Sequence, residues 1–394
     1  MPSIPGSWIP TGAGSQLLYD LLEELCLIAS PLTSLAEIQA AIDNDKENAR
    51  HLFLKCGEIV ATETLDIDGG SGGALWGFGA PDFIEQDSEY MRANSVYVYD
   101  GTKGSNEAAI NYKRDGFGFY NWTLQGMQTG ELIADTGLRT PRGVYINRDA
   151  VMGTGKLDAH GWRLGGFDTA IECGASLSDG NCDESNYQYC VSYKNGRFFR
   201  SNNEFGLSHK FYNLRVGHTD TIFDYLAGGK LTVTDLLVGG SPSTVLQLRN
   251  DNPSGFGPNG SRWEFRGIDF DSTARNSKLL DIEPGIAYYA HVLFNGGHFC
   301  RNGTDVWDNY AIHLGDTMHV TINDYHNWMA GMIKYTTTVA QSSITINNGT
   351  SLAGQIASVE DLIDPASTGP SPMIIINNLM PNSGQTPLIF NDTL

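Results

Sequence analysis

The segment His319-Val-Thr-Ile-Asn323 is followed by Ser343-Ile-Thr-Ile-Asn347, which repeats its pattern 24 residues further along the chain. In both segments apolar residues alternate with polar ones and an asparagine follows, which is typical of a short strand that ends in a tight turn. Comparable runs precede them, and from Phe211 onward their starts are separated by about 20, 32, 26, 30 and 24 residues. A repeat of roughly 20–45 residues is typical of a solenoid, in which each unit forms one coil.

The other runs also end in Gly, Asn or Asp, and no long helical pattern separates them between residues 117 and 350. This absence excludes a sheet built from βαβ units. In stacked coils equivalent residues lie above one another, so apolar ladders and asparagine ladders both form along the axis. The sequence therefore predicts an all-β chain that forms a parallel β-helix, with a β-sandwich as the alternative. The runs are Tyr120–Gln125, Gly143–Asn147, Gly161–Leu164, Phe211–Val216, Leu231–Asp235, Trp263–Arg266, Tyr289–Phe294, His319–Asn323 and Ser343–Asn347.

The composition is that of a folded chain with an acidic surface. Of the 394 residues, 41% are hydrophobic and 18% are charged, which supplies a large core and does not suit a disordered chain. The formal charge of −20 repels phosphate backbones, so we expect no nucleic-acid partner. The most apolar early stretch, Leu17–Ile28, is too short and too charged to span a membrane, and no signal peptide is visible. We therefore expect synthesis in a cytoplasm and no membrane partner.

Three regions of the chain differ in character. Residues 1–33 are expected to form a leader whose amphipathic helix, Ser15–Ala29, either caps the coil or attaches the chain to a partner. Residues 34–350 are expected to form the coil, with residues 80–115 as a loop excursion. Residues 351–394 contain proline-rich turns and two apolar runs, so we expect them to cap the C-terminal end or to contact neighbouring chains.

The start of the coil carries a family resemblance. A capping box opens a helix that contains Ile38-Gln-Ala-Ala-Ile-Asp43, and an alternating strand, Thr64-Leu-Asp-Ile-Asp68, follows. This order resembles the first turns of pectate-lyase-like β-helices, in which such a helix caps the solenoid. The chain departs from the family pattern because Cys56-Gly57-Glu58 stands where Pro-x-Gly is usual and Leu75-Trp76-Gly77 replaces a charged centre. The resemblance implies a right-handed parallel β-helix with a short N-terminal helical cap.

Pairs of carboxylates are the candidate chemistry in such a fold. Neighbouring coils lie about 4.8 Å apart, which approaches the roughly 5–5.5 Å between the two acids of a retaining glycosidase. Acids two coils apart suit the roughly 6.5–9.5 Å of an inverting enzyme. A pair has little weight by itself, because Asp residues in turns often bond only their own backbone. The acids considered are Asp168 and Glu172, Asp220 and Asp224, and Asp269 with Asp271.

No motif indicates another chemistry. Gly296-Gly297-His298 faintly resembles the Gly-His-Gly of polygalacturonases, but the companion segments are absent, and Arg215 and Arg266 lack the spacing of a pectate-lyase site. Three histidines could line one face, although surface or ladder roles explain them more simply. The tryptophans could stack on sugars, although filling the core is the simpler interpretation. We therefore assign no catalytic, cofactor-binding or metal-binding residue and expect no cofactor. The histidines are His313, His319 and His326, and the tryptophans are Trp76, Trp122, Trp162, Trp263, Trp307 and Trp328.

A β-helix without a secretion signal or a recognisable catalytic set resembles the tailspikes, fibres and capsid-decorating proteins of bacteriophages, which are often homotrimers. The resemblance implies a structural protein of the virion surface that contacts other capsid or tail proteins, and a host surface polysaccharide is a further partner to consider. The alternative is an enzyme, either a polysaccharide lyase or a glycoside hydrolase acting on a surface glycan. A carbohydrate-binding module without catalysis is a third interpretation.

Overall fold

A computed structural model places most of the coil. The predicted leader helix, Ser15–Ala29, lies outside the residues that the structure describes. The described residues are 32–44, 51–79, 94–101, 107–128, 131–132, 139–146, 156–174, 184–203, 206, 208–240, 243–249, 261–271, 277–283, 290–299, 310–316, 318–338, 342–351, 356–380 and 387–393.

The described strands are numbered β1–β30 in chain order, and all except β9 and β30 form three columns that successive turns of the chain visit in the same order. The first column contains β1 (His51–Phe53), β4 (Ala74–Trp76), β7 (Gly118–Tyr120), β11 (Asp158–His160) and β14 (Asn186–Gln188). The second contains β2 (Gly57–Ala61), β5 (Ser95–Asp100), β8 (Thr123–Gln128), β12 (Arg163–Gly165), β15 (Val191–Tyr193) and β28 (Gly349–Ser351). The first and second columns are continued by bent strands, β17 (His209–Gly217), β19 (Lys230–Gly239), β21 (Ser261–Phe270), β23 (Ala290–His298) and β25 (Met318–Trp328), and then by β27 (Ser343–Asn347) and β29 (Met373–Met380). The third contains β3 (Leu65–Ile67), β6 (Ala108–Tyr112), β10 (Thr140–Ile146), β13 (Phe167–Cys173), β16 (Arg197–Ser201), β18 (Thr221–Tyr225), β20 (Thr244–Leu248), β22 (Lys278–Ile282), β24 (Ile312–Leu314) and β26 (Ile333–Tyr335).

Successive turns pair in parallel, so each strand lies beside the strand of the same column one turn later. Among the described strands the antiparallel pairs are β8 with β9 (Glu131–Leu132) and β29 with β30 (Leu388–Thr393). This architecture confirms the predicted parallel β-helix, and the described strands do not form the two facing antiparallel sheets of a sandwich. None of the described helices has the length and apolar composition needed to cross a membrane.

Apolar side chains stacked turn upon turn fill the interior. The rings of Phe119 and Trp162 lie on neighbouring turns with centroids 4.7 Å apart, and those of Phe265 and Phe294 are 5.0 Å apart. Phe265 and Phe294 are register partners, and the parallel register places such residues about 4.8 Å apart along the axis. The core-filling interpretation is confirmed for four tryptophans, whereas Trp76 is half-buried and Trp307 lies outside the described residues. The four fully buried ones are Trp122, Trp162, Trp263 and Trp328.

A ten-residue helix, α1 (Leu35–Asn44), covers the first turn of the coil. Its predicted capping box forms in part, since the backbone N–H of Glu37 donates to Ser34 Oγ over 3.3 Å. Ile38 and Ile42, one helical turn apart, are fully buried against the core. On the side facing β3, the Gln39 amide accepts from the N–H of Asp66 and donates to its carbonyl oxygen, both over 2.9 Å. The helix therefore bonds the N–H and carbonyl oxygen of Asp66, which β3 would otherwise expose at the edge of the third column.

The segment expected to be an excursion, residues 80–115, is not a loop throughout. Residues 95–100 and 108–112 are β5 and β6, which pair with the strands of the turns on either side. Residues 80–93 lie outside the described part of the chain. The sequence did not predict these strands, because the segment is rich in charged residues and tyrosines. In the structure β5 buries two of these tyrosines, Tyr97 and Tyr99, in the core.

Candidate functional site

A groove with a volume of about 740 Å³ lies where the first column bends into the second. One residue in each of nine successive turns adopts a left-handed conformation at this bend, with φ between 50° and 72°. Asn, Asp and Gly tolerate that conformation, and it turns the chain sharply within a single residue. The bend residues are Asn121, Gly161, Tyr189, Asn213, Asp235, Gly267, Gly296, Asp324 and Asn348.

Tyr189 is the exception in this row of bend residues. A tyrosine at φ 53° carries a backbone strain of about 1–2 kcal/mol that Asn, Asp or Gly would largely avoid. Its side chain is 56% exposed, and its ring lies 5.2 Å from that of His160. A strained residue with an exposed ring in a groove indicates a functional position, because neither the core nor the bend requires a tyrosine there.

The outward side chains of the second column form the adjoining wall. Their register stacks Arg163, Val191, Arg215, Leu237, Asp269 and His298 on six successive turns. Cations therefore lie at one end of the groove, and acidic and imidazole groups lie at the other. Arg215 and His298 are exposed, whereas Asp269 is half-buried.

Three carboxylates lie at or beside the acidic end. Asp235 and Asp269 line the groove. Asp235 is the bend residue of its turn, and a Cβ placed on Gly267 in the next turn would lie 3.1 Å from Asp235 Oδ1. That close approach requires a small residue at Gly267. Asp271 directly follows β21, two residues after Asp269, and lies outside the groove lining. Its N–H donates to the carbonyl oxygen of Val238 over 2.7 Å, so the chain is still extended there and the Cα atoms of the two acids lie about 6.6 Å apart.

The other predicted acids have different surroundings. Glu172 and Asp224 lie on the outer face of the third column, and both are buried in ion pairs. Asp224 Oδ1 accepts from Arg249 Nε over 2.7 Å, and Arg197 Nε lies 2.8 Å from Oδ2 without the alignment of a hydrogen bond. Asp220 is exposed and pairs with Arg139, whereas Asp168 is exposed away from the groove. The structure therefore brings only Asp269 and Asp271 of the candidate acids to the groove region.

The predicted histidines do not converge. His326 continues the second-column row beyond His298, with ring centroids 5.3 Å apart, while His319 lies on the first column and His313 on the third. Among the described residues, no group of three or more His, Cys, Asp or Glu side chains could hold a metal ion. Gly296-Gly297-His298 reaches the groove, but its two glycines form the bend and only the imidazole lines the wall.

Sequence reasoning missed Tyr189, Asp235 and Arg163 as groove residues. A signal for Tyr189 was present, because the run Asn186–Cys190 has a tyrosine where every other bend has Asn, Asp or Gly. The bend residues could not be aligned in advance, because loops of unequal length separate them.

No protein-family model matches the chain, and no curated protein matches it in sequence. Solved structures with a similar fold include two catalytic units and a tailspike. The catalytic unit of the thermostable GH87 alpha-1,3-glucanase from Streptomyces thermodiastaticus strain HF3-3 has a TM-score of 0.55 at 10% identity, over 91% of this chain and 72% of that one. The Agl-KA catalytic domain has a TM-score of 0.51 at 13% identity, over 89% of this chain and 69% of that one.

The third is the tailspike protein gp49 of Acinetobacter baumannii bacteriophage Fri1, a capsular polysaccharide depolymerase, with a TM-score of 0.49 at 13% identity, over 91% of this chain and 61% of that one. At such low identities the first two structures establish a shared fold and no more. The pectate-lyase-like family itself stays a prediction. The chain is a parallel β-helix, similar in fold to the glucanase catalytic unit.

Proposed function

We propose that this chain binds an extended surface glycan along the groove at the bend. The observation that carries the proposal is Tyr189, an exposed ring held at a strained bend position where the coil itself favours Asn, Asp or Gly. Sugar rings pack their apolar faces on aromatic side chains, and their hydroxyl groups bond to charged and polar groups. Tyr189 supplies the aromatic contact at the bend, and Arg215 and Asp269 supply the polar contacts on the adjoining wall.

The length of the groove suits a chain molecule. Its outward residues come from six successive turns, whose five spacings of about 4.8 Å span roughly 24 Å. An extended oligosaccharide would lie parallel to the coil axis and contact one residue of the wall in each turn. The similarity in fold to an alpha-1,3-glucanase is consistent with a polysaccharide ligand.

Replacing Tyr189 by asparagine should weaken glycan binding and stabilise the fold. We expect the affinity for a surface polysaccharide to fall about tenfold, because the contact between the tyrosine ring and a sugar contributes roughly 1.4 kcal/mol. We expect the free energy of unfolding to rise by about 1 kcal/mol, because asparagine tolerates the left-handed conformation. Biolayer interferometry on immobilised bacterial polysaccharides and urea unfolding measure the two effects.

The matched control is Tyr212→Ala, which removes a half-buried tyrosine from the neighbouring turn outside the groove lining. This variant should bind as the unchanged protein does. Equal affinity for the unchanged protein and Tyr189→Asn would remove the support for the groove as the binding site. Failure of the unchanged protein to bind any surface polysaccharide would refute the proposed function.

Hydrolysis of the bound glycan is a second candidate function. The spacing of Asp269 and Asp271 favours it, because about 6.6 Å between Cα atoms allows the carboxyl separation of an inverting pair. Release of reducing ends from a bound polysaccharide, lost in both Asp269→Asn and Asp271→Asn, would support it. Binding without turnover would instead select a carbohydrate-binding role.

We further propose that the chain is a homotrimeric component of a virion surface, where such a groove would contact a host polysaccharide. Its support is the exposed C-terminal hairpin, in which Ile389 of β30 is 75% exposed and Met373 of β29 is 43% exposed. Among the described strands β30 pairs with β29 alone, and exposed apolar side chains beside such an edge favour contact with another chain. A mass in solution of three times 42.9 kDa by light scattering would support the trimer, and a monomer would refute it.

A further inference from the structure

The third column carries a linked set of side chains away from the groove. His313 Nδ1 lies 2.8 Å from Asp281 Oδ1, and its Nε2 lies 2.8 Å from Thr336 Oγ1. Asp281 and His313 are register partners on β22 and β24, and Thr336 directly follows β26. A hydroxyl, an imidazole and a carboxylate joined in this order form the arrangement that activates a nucleophile in acyl transfer.

The charge on Asp281 determines which atom donates in each hydrogen bond of this set. Burial opposes ionisation of Asp281, but the hydrogen bond from His313 and the charge of Lys278 outweigh it and lower the pKa of Asp281. An ionised Asp281 only accepts, so the neutral His313 ring carries its proton on Nδ1 and leaves Nε2 as an acceptor. Thr336 must then donate its hydroxyl proton to Nε2, which is the direction that a general base requires.

Cations flank the same site. Lys278 Nζ bonds to Asp281 over 3.2 Å and to the Tyr310 hydroxyl over 2.8 Å. Lys334, the register partner of His313, lies 4.9 Å from the Tyr310 ring centroid and precedes Thr336 by two residues, so both side chains leave the outer face. The Lys334 ammonium group therefore lies on the same face as Thr336, where a cation would favour negative charge that develops on a bound substrate. His313 and Thr336 are both partly exposed, so the pair lies at the surface of the coil and not in its core.

We propose that Thr336, His313 and Asp281 hydrolyse short acyl esters of alcohols, of which the O-acetyl group of a sugar is the simplest. Thr336 Oγ1 forms a bond to the ester carbonyl carbon and transfers its proton to His313 Nε2, while the carbonyl oxygen becomes an oxyanion beside Lys334. The bond from the carbonyl carbon to the leaving oxygen then breaks, and His313 returns the proton to the departing alkoxide. A water molecule reverses these steps by attacking the acyl-threonine, and it restores the Thr336 hydroxyl and releases the carboxylic acid.

This activity would be independent of glycan binding in the groove, because none of its residues lines the groove. The chain also offers a matched control. Thr321 Oγ1 lies 3.2 Å from His291 Nε2 on the first column, but among the described hydrogen bonds that imidazole has no carboxylate to orient it. The pair reproduces the contact between threonine and histidine without the third member of the set.

The test is hydrolysis of p-nitrophenyl acetate by the full chain, with thermal unfolding as the measure of folding. We expect Thr336→Val and His313→Gln to lower the rate about 100-fold or more and Thr321→Val to leave it unchanged. Brief incubation with the ester and acid quenching should leave an acetyl group on the peptide containing Thr336, and Thr336→Val should not acquire it.

Equal rates for the unchanged protein and Thr336→Val would overturn the proposal, as would an unchanged protein no faster than buffer. An equal loss of rate in Thr321→Val would also overturn the proposal. Such a loss would mean that any surface contact between threonine and histidine hydrolyses the ester. If Thr336→Val unfolds, the acetyl mark in the unchanged protein decides the matter alone: its presence on Thr336 supports the proposal and its absence refutes it.

Discussion

Replacing Asp224 by asparagine should lower the free energy of unfolding by about 3 kcal/mol. The Asp224 side chain is fully buried on the outer face of the third column. Arg249 donates to it over 2.7 Å, while Arg197 and Arg200 lie 2.8 and 3.8 Å from its second oxygen. Removing one partner of a buried ion pair leaves the other charge uncompensated, which typically costs about 3–5 kcal/mol. Urea unfolding at neutral pH measures the loss.

Asp220→Asn is the matched control for this prediction, four residues earlier in the same segment. Its side chain is 61% exposed and pairs with the partly exposed Arg139. Pairs of this kind contribute about 0–1 kcal/mol, so the control should unfold close to the unchanged protein. Equal free energies of unfolding for Asp224→Asn and Asp220→Asn would mean that the buried Asp224 carboxylate does not stabilise the fold through its ion pairs with the arginines.

Replacing Trp162 by alanine should lower the free energy of unfolding by about 3–5 kcal/mol. The indole ring is fully buried, with centroids 4.7 Å from Phe119 and 5.5 Å from Trp122. Because a solenoid turn contacts only its neighbours, the coil has no distant side chains that could fill the cavity. Denaturant unfolding followed by circular dichroism reports the change.

Ile389→Ala is the control for the tryptophan variant, since that side chain is 75% exposed on β30. Exposed substitutions of this kind usually change stability by about 0.5 kcal/mol or less. A Trp162→Ala variant as stable as Ile389→Ala would contradict the close packing of the aromatic stack. Loss of stability in the control would instead indicate that β30 contacts another chain.

The fold could be predicted because its signals are local. Each bend favours Asn, Asp or Gly at the end of an alternating run. Eight of the nine left-handed bend residues are of these types, and Tyr189 is the exception. The capping helix was predictable for the same reason, since Ser34, Glu37 and the buried Ile38 lie within five residues.

The site was harder to predict because its residues meet across turns. Asp220 and Asp224 lie only four residues apart in the sequence, yet one is exposed and the other is buried under arginines from neighbouring turns. Which residues stack depends on loops that differ in length from turn to turn, and no local pattern records those lengths. The same limit hid the link from Asp281 to His313 and Thr336, which spans 55 residues of sequence and two turns of the coil.

A crystal structure of the full chain with an oligosaccharide from a polysaccharide that it binds would test the central claim most directly. We expect the sugar rings to lie parallel to the coil axis, one of them on Tyr189 and others beside Arg215 and Asp269. Sugar bound only on another face of the coil would contradict the account.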